Sequence, residues 1–478
     1  MEIWQLTATE VAGAVRTGVV SAEEVTRSAL DRVAAVNPAV NALVEIREEA
    51  IEEARHADEL RRRGEPVGTL HGLPVTSKMN TNVEGLPTTD AVAAYADHVA
   101  PETDPQVASL LCAGAILIGR TNCPPFATRW TTESDLYGAT INPLAPGVTP
   151  GGSSGGAAAA VATGMGVLAQ GNDIGGSLRY PAACCGVIGL RPSPGRIPGW
   201  AGPVAFDPPM AYQAFVEQGP IARTVADVRL GLTAMEAYDP RDPRAVASVS
   251  RIPAGSGLPR VGVLTDPGGG GLRGSSTPAS VAATRRAAAW LAEAGYEVEE
   301  VEQPIFGDAS RLWWELALTE FAIAVRAEVA RVGEPGYRRF FDYMYNVYEQ
   351  EFGDVDLSQF VAGWAKRGRL RREISVFMDR YPLILTPVSG EPPFPMGADA
   401  ESVDRLAEIM SHQWPSMSVP TLGLPALGMP AELPADAAPL GVQIVGRPFE
   451  DEAVLTAGEV VEARLGLSRP VDPRQGDR

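Results

Sequence analysis

The chain is poor in lysine. It carries 40 Lys and Arg residues, of which only Lys78 and Lys366 are lysine and the other 38 are arginine. A guanidinium keeps its proton in a protein, whereas a buried amine can become a neutral base. Cysteine and histidine are also scarce, with four of each. Cys112, Cys123, Cys184 and Cys185 form no Cys-x-x-Cys pair, and His56, His71, His98 and His412 form no His-Glu-x-x-His. These spacings argue against a zinc site. Adjacent Cys184 and Cys185 read as small buried residues in a reducing compartment.

Long apolar runs are missing too. The longest, Ala157 to Ala169, is glycine-interrupted and too short to span a bilayer. Met1-Glu2-Ile3-Trp4-Gln5 lacks the basic and apolar regions of a signal peptide, so a cytoplasmic location is expected. Basic charge is in deficit: 59 Asp and Glu leave a net charge of −19. That balance argues against a nucleic-acid partner or an anionic membrane. With 45% hydrophobic and 21% charged residues, the 478-residue chain can build a substantial buried core.

Strand and helix signals alternate. Thr7-x-x-Glu10 and Ser21-x-x-Glu24 match the capping box, so the first 60 residues read as a helical arm packed on the core. Residues 61–478 read as one α/β domain, with helices before Ala113 and from Ala157 to Thr163 and strands at 113–119, 166–169, 297–301 and 383–386. Two or three aromatic-rich helices are expected over 308–381, in a mostly helical region at about 305–382, and final helices near 278–294 and 451–465.

Four motifs bear on chemistry. Gly269-x-Gly271-x-x-Gly274 fits the dinucleotide fingerprint, but Pro267 precedes it and the next helix starts only near Pro278, so it reads as a loop. A phosphate loop needs Gly-Lys-Ser/Thr, and neither lysine follows a glycine. Gly151-Gly152-Ser153-Ser154-Gly155 fits the nucleophile elbow, yet three prolines in 142–150 preclude the central strand it requires. Only His412 follows to serve as base. The fourth reading joins Lys78 to Ser153 and to Ser177 in Asp173-Ile174-Gly175-Gly176-Ser177. Burial would make Lys78 a base, Ser153 and Ser177 would pass a proton to it, and the glycine turn would offer backbone N–H donors to an oxyanion. The bland alternative is two tight glycine turns and a surface lysine.

Residues 65–225 resemble the amidase signature family. The likeness runs through Leu70-His71-Gly72-Leu73-Pro74, Gly119-Arg120-Thr121-Asn122 and Pro150-Gly151-Gly152-Ser153-Ser154-Gly155-Gly156. It continues through Asp173-Ile174-Gly175-Gly176-Ser177-Leu178-Arg179, Gly186 to Ser193 and Gly219-Pro220-Ile221-Ala222-Arg223, with Gly441 to Gly446 resembling the closing strand. The resemblance implies an α/β amidase-signature fold, a central twisted mixed β-sheet surrounded by α-helices. It implies hydrolysis of the C–N bond of an amide, or of a related hydrazide or ester, without a cofactor. It makes Ser177 the nucleophile of an acyl-enzyme, Ser153 the relay held by a cis peptide after Gly152, and Lys78 the base. Ile174, Gly175 and Gly176 would form the oxyanion hole, and Thr128, Arg129 and Trp130 would line the acyl pocket. Trp313, Trp314, His412 and Trp414 lie in regions that often complete that pocket in the family.

This sequence departs from the family pattern at Met79, where an acidic residue is frequent, at Asn172, where Thr or Ser is common, and at Arg191, where lysine is frequent. The expected partner is a small amide-type molecule, and the helical arm is compatible with a homodimer. The amidase component of a glutamyl-tRNA amidotransferase is the main alternative. An α/β-hydrolase-type esterase and an inactive scaffold are weaker ones.

Overall fold

The computed structural model describes residues 2–199, 208–246, 257–434 and 437–474. Its strands are β1 (Leu43–Ile46), β2 (Pro74–Lys78), β3 (Ile116–Thr121), β4 (Glu133–Ser134), β5 (Gly138–Ala139), β6 (Leu168–Asp173), β7 (Ile188–Arg191), β8 (Glu217–Ala222), β9 (Val261–Val263), β10 (Val298–Glu300), β11 (Leu383–Pro387), β12 (Ala426–Glu432) and β13 (Leu440–Gly446). All but the β4–β5 hairpin join one eleven-stranded sheet in the order β1-β3-β2-β6-β8-β7-β12-β13-β11-β9-β10. The sheet is mixed: β3, β2 and β6 run parallel, β6 and β8 antiparallel, and β9 lies parallel to both β10 and β11. Helices flank it, as expected of an α/β chain.

Both predicted capping boxes form. Thr7 and Ser21 accept from the backbone N–H of Glu10 and Glu24, whose carboxylates accept in return. The first 60 residues are not purely helical, however. Leu43–Ile46 forms edge strand β1, antiparallel to β3, so this segment is stitched into the sheet. The region from 305 to 380 holds four helices rather than two or three: Ile305–Ala324, Arg326–Val332, Pro335–Phe352 and Leu357–Arg380. The glycine segment 269–274 contains only a short 3-10 turn, Gly271–Arg273, and the next helix opens at Pro278.

Two features position the site. Neighbouring β2 and β6 run parallel, so the C-terminal residue of one, Lys78, lies beside the C-terminal residues of the other, Asn172 and Asp173. Open α/β sheets place ligands at such carboxyl ends. The second is the fully buried helix Gly155–Ala162, whose small side chains let it sit inside the molecule and present Ser153 and Ser154 at its N-terminus.

Candidate active site

Lys78 ends a strand buried along its whole length. Its Nζ stands 2.6 Å from Ser153 Oγ and donates to Asn172 Oδ1 at 2.8 Å. Asn172 is steadied in turn by donating from Nδ2 to Asn80 Oδ1 at 3.0 Å. Burial strips water from the ammonium and brings its pKa from 10.5 down to about 8, against the opposing pull of Cys123, Asp90 and Asp173. Met79 lies outside this polar shell, in a small apolar cluster with Ala91 and Cys123.

The Gly152–Ser153 peptide is cis. Gly152 has no room for a side chain, because a Cβ would run into the carbonyl oxygens of Arg129 and Thr131. Ser153 therefore precedes the helix in a turn pinned against another segment, with the positive helix end beside the lysine. Among the described residues, 142–150 contains no strand, as its prolines require.

The turn after β6 is organised by Asp173. Its buried carboxylate accepts from Arg179 Nε and Nη2, both at 2.9 Å, and from the backbone N–H of Gly176 at 2.9 Å and Leu178 at 3.2 Å. Burial opposes ionisation, but Arg179, Arg191 and the Gly176 N–H outweigh it and hold the carboxyl at about 2. One expectation is corrected here. Gly176 cannot offer its N–H to a ligand, because Asp173 takes it. Among the described residues, the N–H groups of Ile174, Gly175 and Ser177 have no acceptor. Gly176 also needs to be glycine: its φ is +97°, and a Cβ would strike Ser416.

Ser177 opens into a narrow cavity whose walls are mostly aromatic and apolar. Trp130, Trp313, Trp314, Phe321, Met344 and Met417 supply them, together with Thr128, Arg129, Ile174 and Gly175. Thr128 shares a 2.5 Å hydrogen bond with the Tyr337 hydroxyl. Arg129 commits one edge of its guanidinium inside the protein. Nε and Nη2 donate to the two oxygens of buried Asp399 at 2.8 and 2.7 Å, and Nη2 also reaches Glu133 at 2.8 Å. Trp414 and His412 are not among the lining residues. The Trp414 indole donates to Ser276 Oγ at 3.2 Å, and His412 Nδ1 lies 3.6 Å from Glu391.

Sequence reasoning missed three parts of this site. Phe321, Met344 and Met417 come from helices whose spacing reads equally well as core. The Asp173–Arg179 clamp lies inside the second glycine motif at i, i+6, without helical spacing to mark it. The indole Nε1–H groups of Trp313 and Trp130 donate to the carbonyls of Ile174 at 2.9 Å and Gly175 at 3.1 Å, contacts made across 139 and 45 residues.

The structure brings Lys78, Ser153 and Asn172 into direct contact, while Ser177 lines the adjoining cavity and makes no hydrogen bond to Ser153, and the family model described as Amidase matches residues 24–455. The chain belongs to the amidase family. This amidase is 37% identical over 469 residues to the indoleacetamide hydrolase of Bradyrhizobium diazoefficiens, covering 97% of this chain and 87% of that protein. It is 34% identical to one component of the glutamyl-tRNA(Gln) amidotransferase of Moorella thermoacetica, over 97% of each. Among solved structures, 6-aminohexanoate cyclic dimer hydrolase matches with a TM-score of 0.82 and 28% identity, covering 98% of this chain and 99% of that one. The fold is the amidase-signature fold, and the enzyme is a hydrolase of amide C–N bonds. Among the described residues, no helix is long and apolar enough to cross a membrane, and no group of three or more His, Cys, Asp or Glu could hold a metal ion.

Proposed function

We propose that this amidase acts alone on small neutral amides with an aromatic acyl group, through an acyl-enzyme on Ser177. The observation that carries the mechanism is the 2.6 Å approach of Lys78 Nζ to Ser153 Oγ in a buried setting. Asn172 Oδ1 can only accept, so it takes one N–H of the amine and leaves the lone pair of neutral Lys78 for the Ser153 proton. Ser153 Oγ then accepts the proton of Ser177, and Ser177 Oγ attacks the amide carbonyl carbon. The oxyanion meets the free N–H groups of the 174–177 turn. Collapse breaks the C–N bond, the relayed proton leaves with the amine, and water cleaves the acyl ester by the same relay in reverse.

The walls support the substrate class. Among the described residues, Arg129 is the one charged residue lining the cavity, and Asp399 and Glu133 take its Nε and Nη2 donors. A charged acyl group would lose its water without gaining a partner, whereas an aryl ring would meet three indoles. The relative named indoleacetamide hydrolase points the same way. Glutamine, with its α-ammonium and α-carboxylate, meets no carboxylate and only the remaining Nη1 edge of Arg129 on the described walls, which disfavours the amidotransferase reading.

Ammonia release by the purified chain alone, from indole-3-acetamide, phenylacetamide, acetamide and glutamine, tests this. Burying an aromatic side group is worth about 1.5–3 kcal/mol, so kcat/KM for the aryl amides should exceed that for acetamide by about 10- to 150-fold. Glutamine turned over faster than the aryl amides would refute the reading.

A further inference from the structure

The oxyanion turn is built from peptide units that glycine leaves free to rotate, and two pocket tryptophans hold them. The carbonyl and N–H of a trans peptide point in opposite directions. Trp313 Nε1–H donates to the carbonyl of Ile174 at 2.9 Å, so the N–H of the same unit, that of Gly175, faces the other way and has no acceptor among the described residues. Trp130 Nε1–H donates to the carbonyl of Gly175 at 3.1 Å, while the N–H of that unit, on Gly176, is held by Asp173 at 2.9 Å. One peptide unit is thus anchored at both ends and the other only at its carbonyl. The anchors are themselves fixed: Trp313 and Trp130 pack edge-on against Trp314 at centroid distances of 4.9 and 5.7 Å, and Trp313 stacks on Phe215 at 6.5 Å.

We propose that Trp313 is a positioning residue that aims the Gly175 N–H at the oxyanion, with Trp130 in a secondary role on the following peptide. Gly175 carries no side chain to stiffen its backbone, and the place a Cβ would take lies 2.5 Å from the Met417 methyl, the movable end of a flexible side chain. Glycine's freedom therefore has to be restrained from outside. Without the Trp313 hydrogen bond, the Ile174–Gly175 unit can turn its carbonyl oxygen toward the developing anion, exchanging attraction for repulsion. The same indoles wall the acyl cavity, so acyl recognition and oxyanion stabilisation share one block of aromatic rings. This rests on the reading of Ser177 as nucleophile.

The test replaces Trp313, and separately Trp130, in the full-length enzyme with 3-benzothienylalanine, which keeps the bicyclic shape but substitutes sulfur for N–H; Trp313→Phe is the companion variant. Phenylacetamide kinetics are measured, along with inhibition by the matching trifluoromethyl ketone and fluorophosphonate labelling mapped by mass spectrometry. Losing an oxyanion donor costs about 10²–10³ in kcat, so a donor left present but unaimed should cost about 10- to 100-fold at position 313. KM should change little, the ketone should weaken by the same factor as kcat, and the Trp130 replacement should cost clearly less. Unchanged kcat in the Trp313 benzothienyl enzyme, or equal losses at the two positions, overturns the proposal while the wild-type label stays on Ser177. A wild-type label on another residue brings down the Ser177 assignment and this proposal together.

Discussion

Asn172 accepts a 2.8 Å hydrogen bond from Lys78 and is itself steadied by Asn80 at 3.0 Å. Where the family commonly has a hydroxyl able to donate or accept, this chain has a carboxamide oxygen that only accepts. It fixes one lysine N–H without adding charge, which keeps the amine easy to discharge.

Asn172→Asp should therefore slow the enzyme without touching either serine. A carboxylate at that distance favours the ammonium and raises the pKa by about 1–3 units. The rising limb of kcat/KM against pH should move upward by at least about one unit, with a tenfold or greater loss at pH 7. An unmoved profile would separate Asn172 from the base.

The wild-type profile has a defined sign. Lys78 must be neutral to accept a proton, and its pKa is brought down to about 8, so kcat/KM should rise with unit slope up to about pH 8 and then level off. Stability moves in the same direction. Between about 8 and 10.5 the unfolded chain holds the lysine proton that the folded chain has lost, so this group's cost to folding is relieved as pH rises through that window and is borne in full below it. Lys78→Arg should abolish turnover although charge is retained. A profile flat from pH 6 to 9 would contradict the assignment.

Arg129 and Asp399 are both buried and joined by two hydrogen bonds of 2.8 and 2.7 Å. Arg129→Met leaves Asp399 without its main partner and should cost about 3–5 kcal/mol of unfolding stability. The double variant Arg129→Met, Asp399→Asn should recover a large part of that loss, because the effects of contacting residues are not additive. Urea denaturation of the four proteins completes the cycle, and additive losses would contradict a shared ion pair.

Local signals were legible where chemistry and geometry are local. The two capping boxes, the helix after the first glycine turn and the prolines excluding a strand before Ser153 all follow from neighbouring residues. β2 was harder to see, since Thr76, Ser77 and Lys78 form a fully buried strand from polar side chains. β1 is four residues long and sits at an edge, where its partner rather than its composition defines it. The fate of Arg129 depends on Asp399, 270 residues away, and nothing near Arg129 distinguishes an internal carboxylate from a ligand's. The turn after β6 shows the same limit: its glycines advertise free N–H groups, but only the folded turn reveals that Asp173 takes one of them.

The central claim is that Ser177 carries the acyl group, with Lys78 and Ser153 relaying its proton. Peptide-mapping mass spectrometry of enzyme quenched in acid during turnover of an arylacetyl ester tests it most directly. The account predicts one arylacetyl adduct on Ser177, absent in Ser177→Ala and strongly reduced in Lys78→Arg. An adduct on another residue, or undiminished turnover by Ser177→Ala, would contradict it.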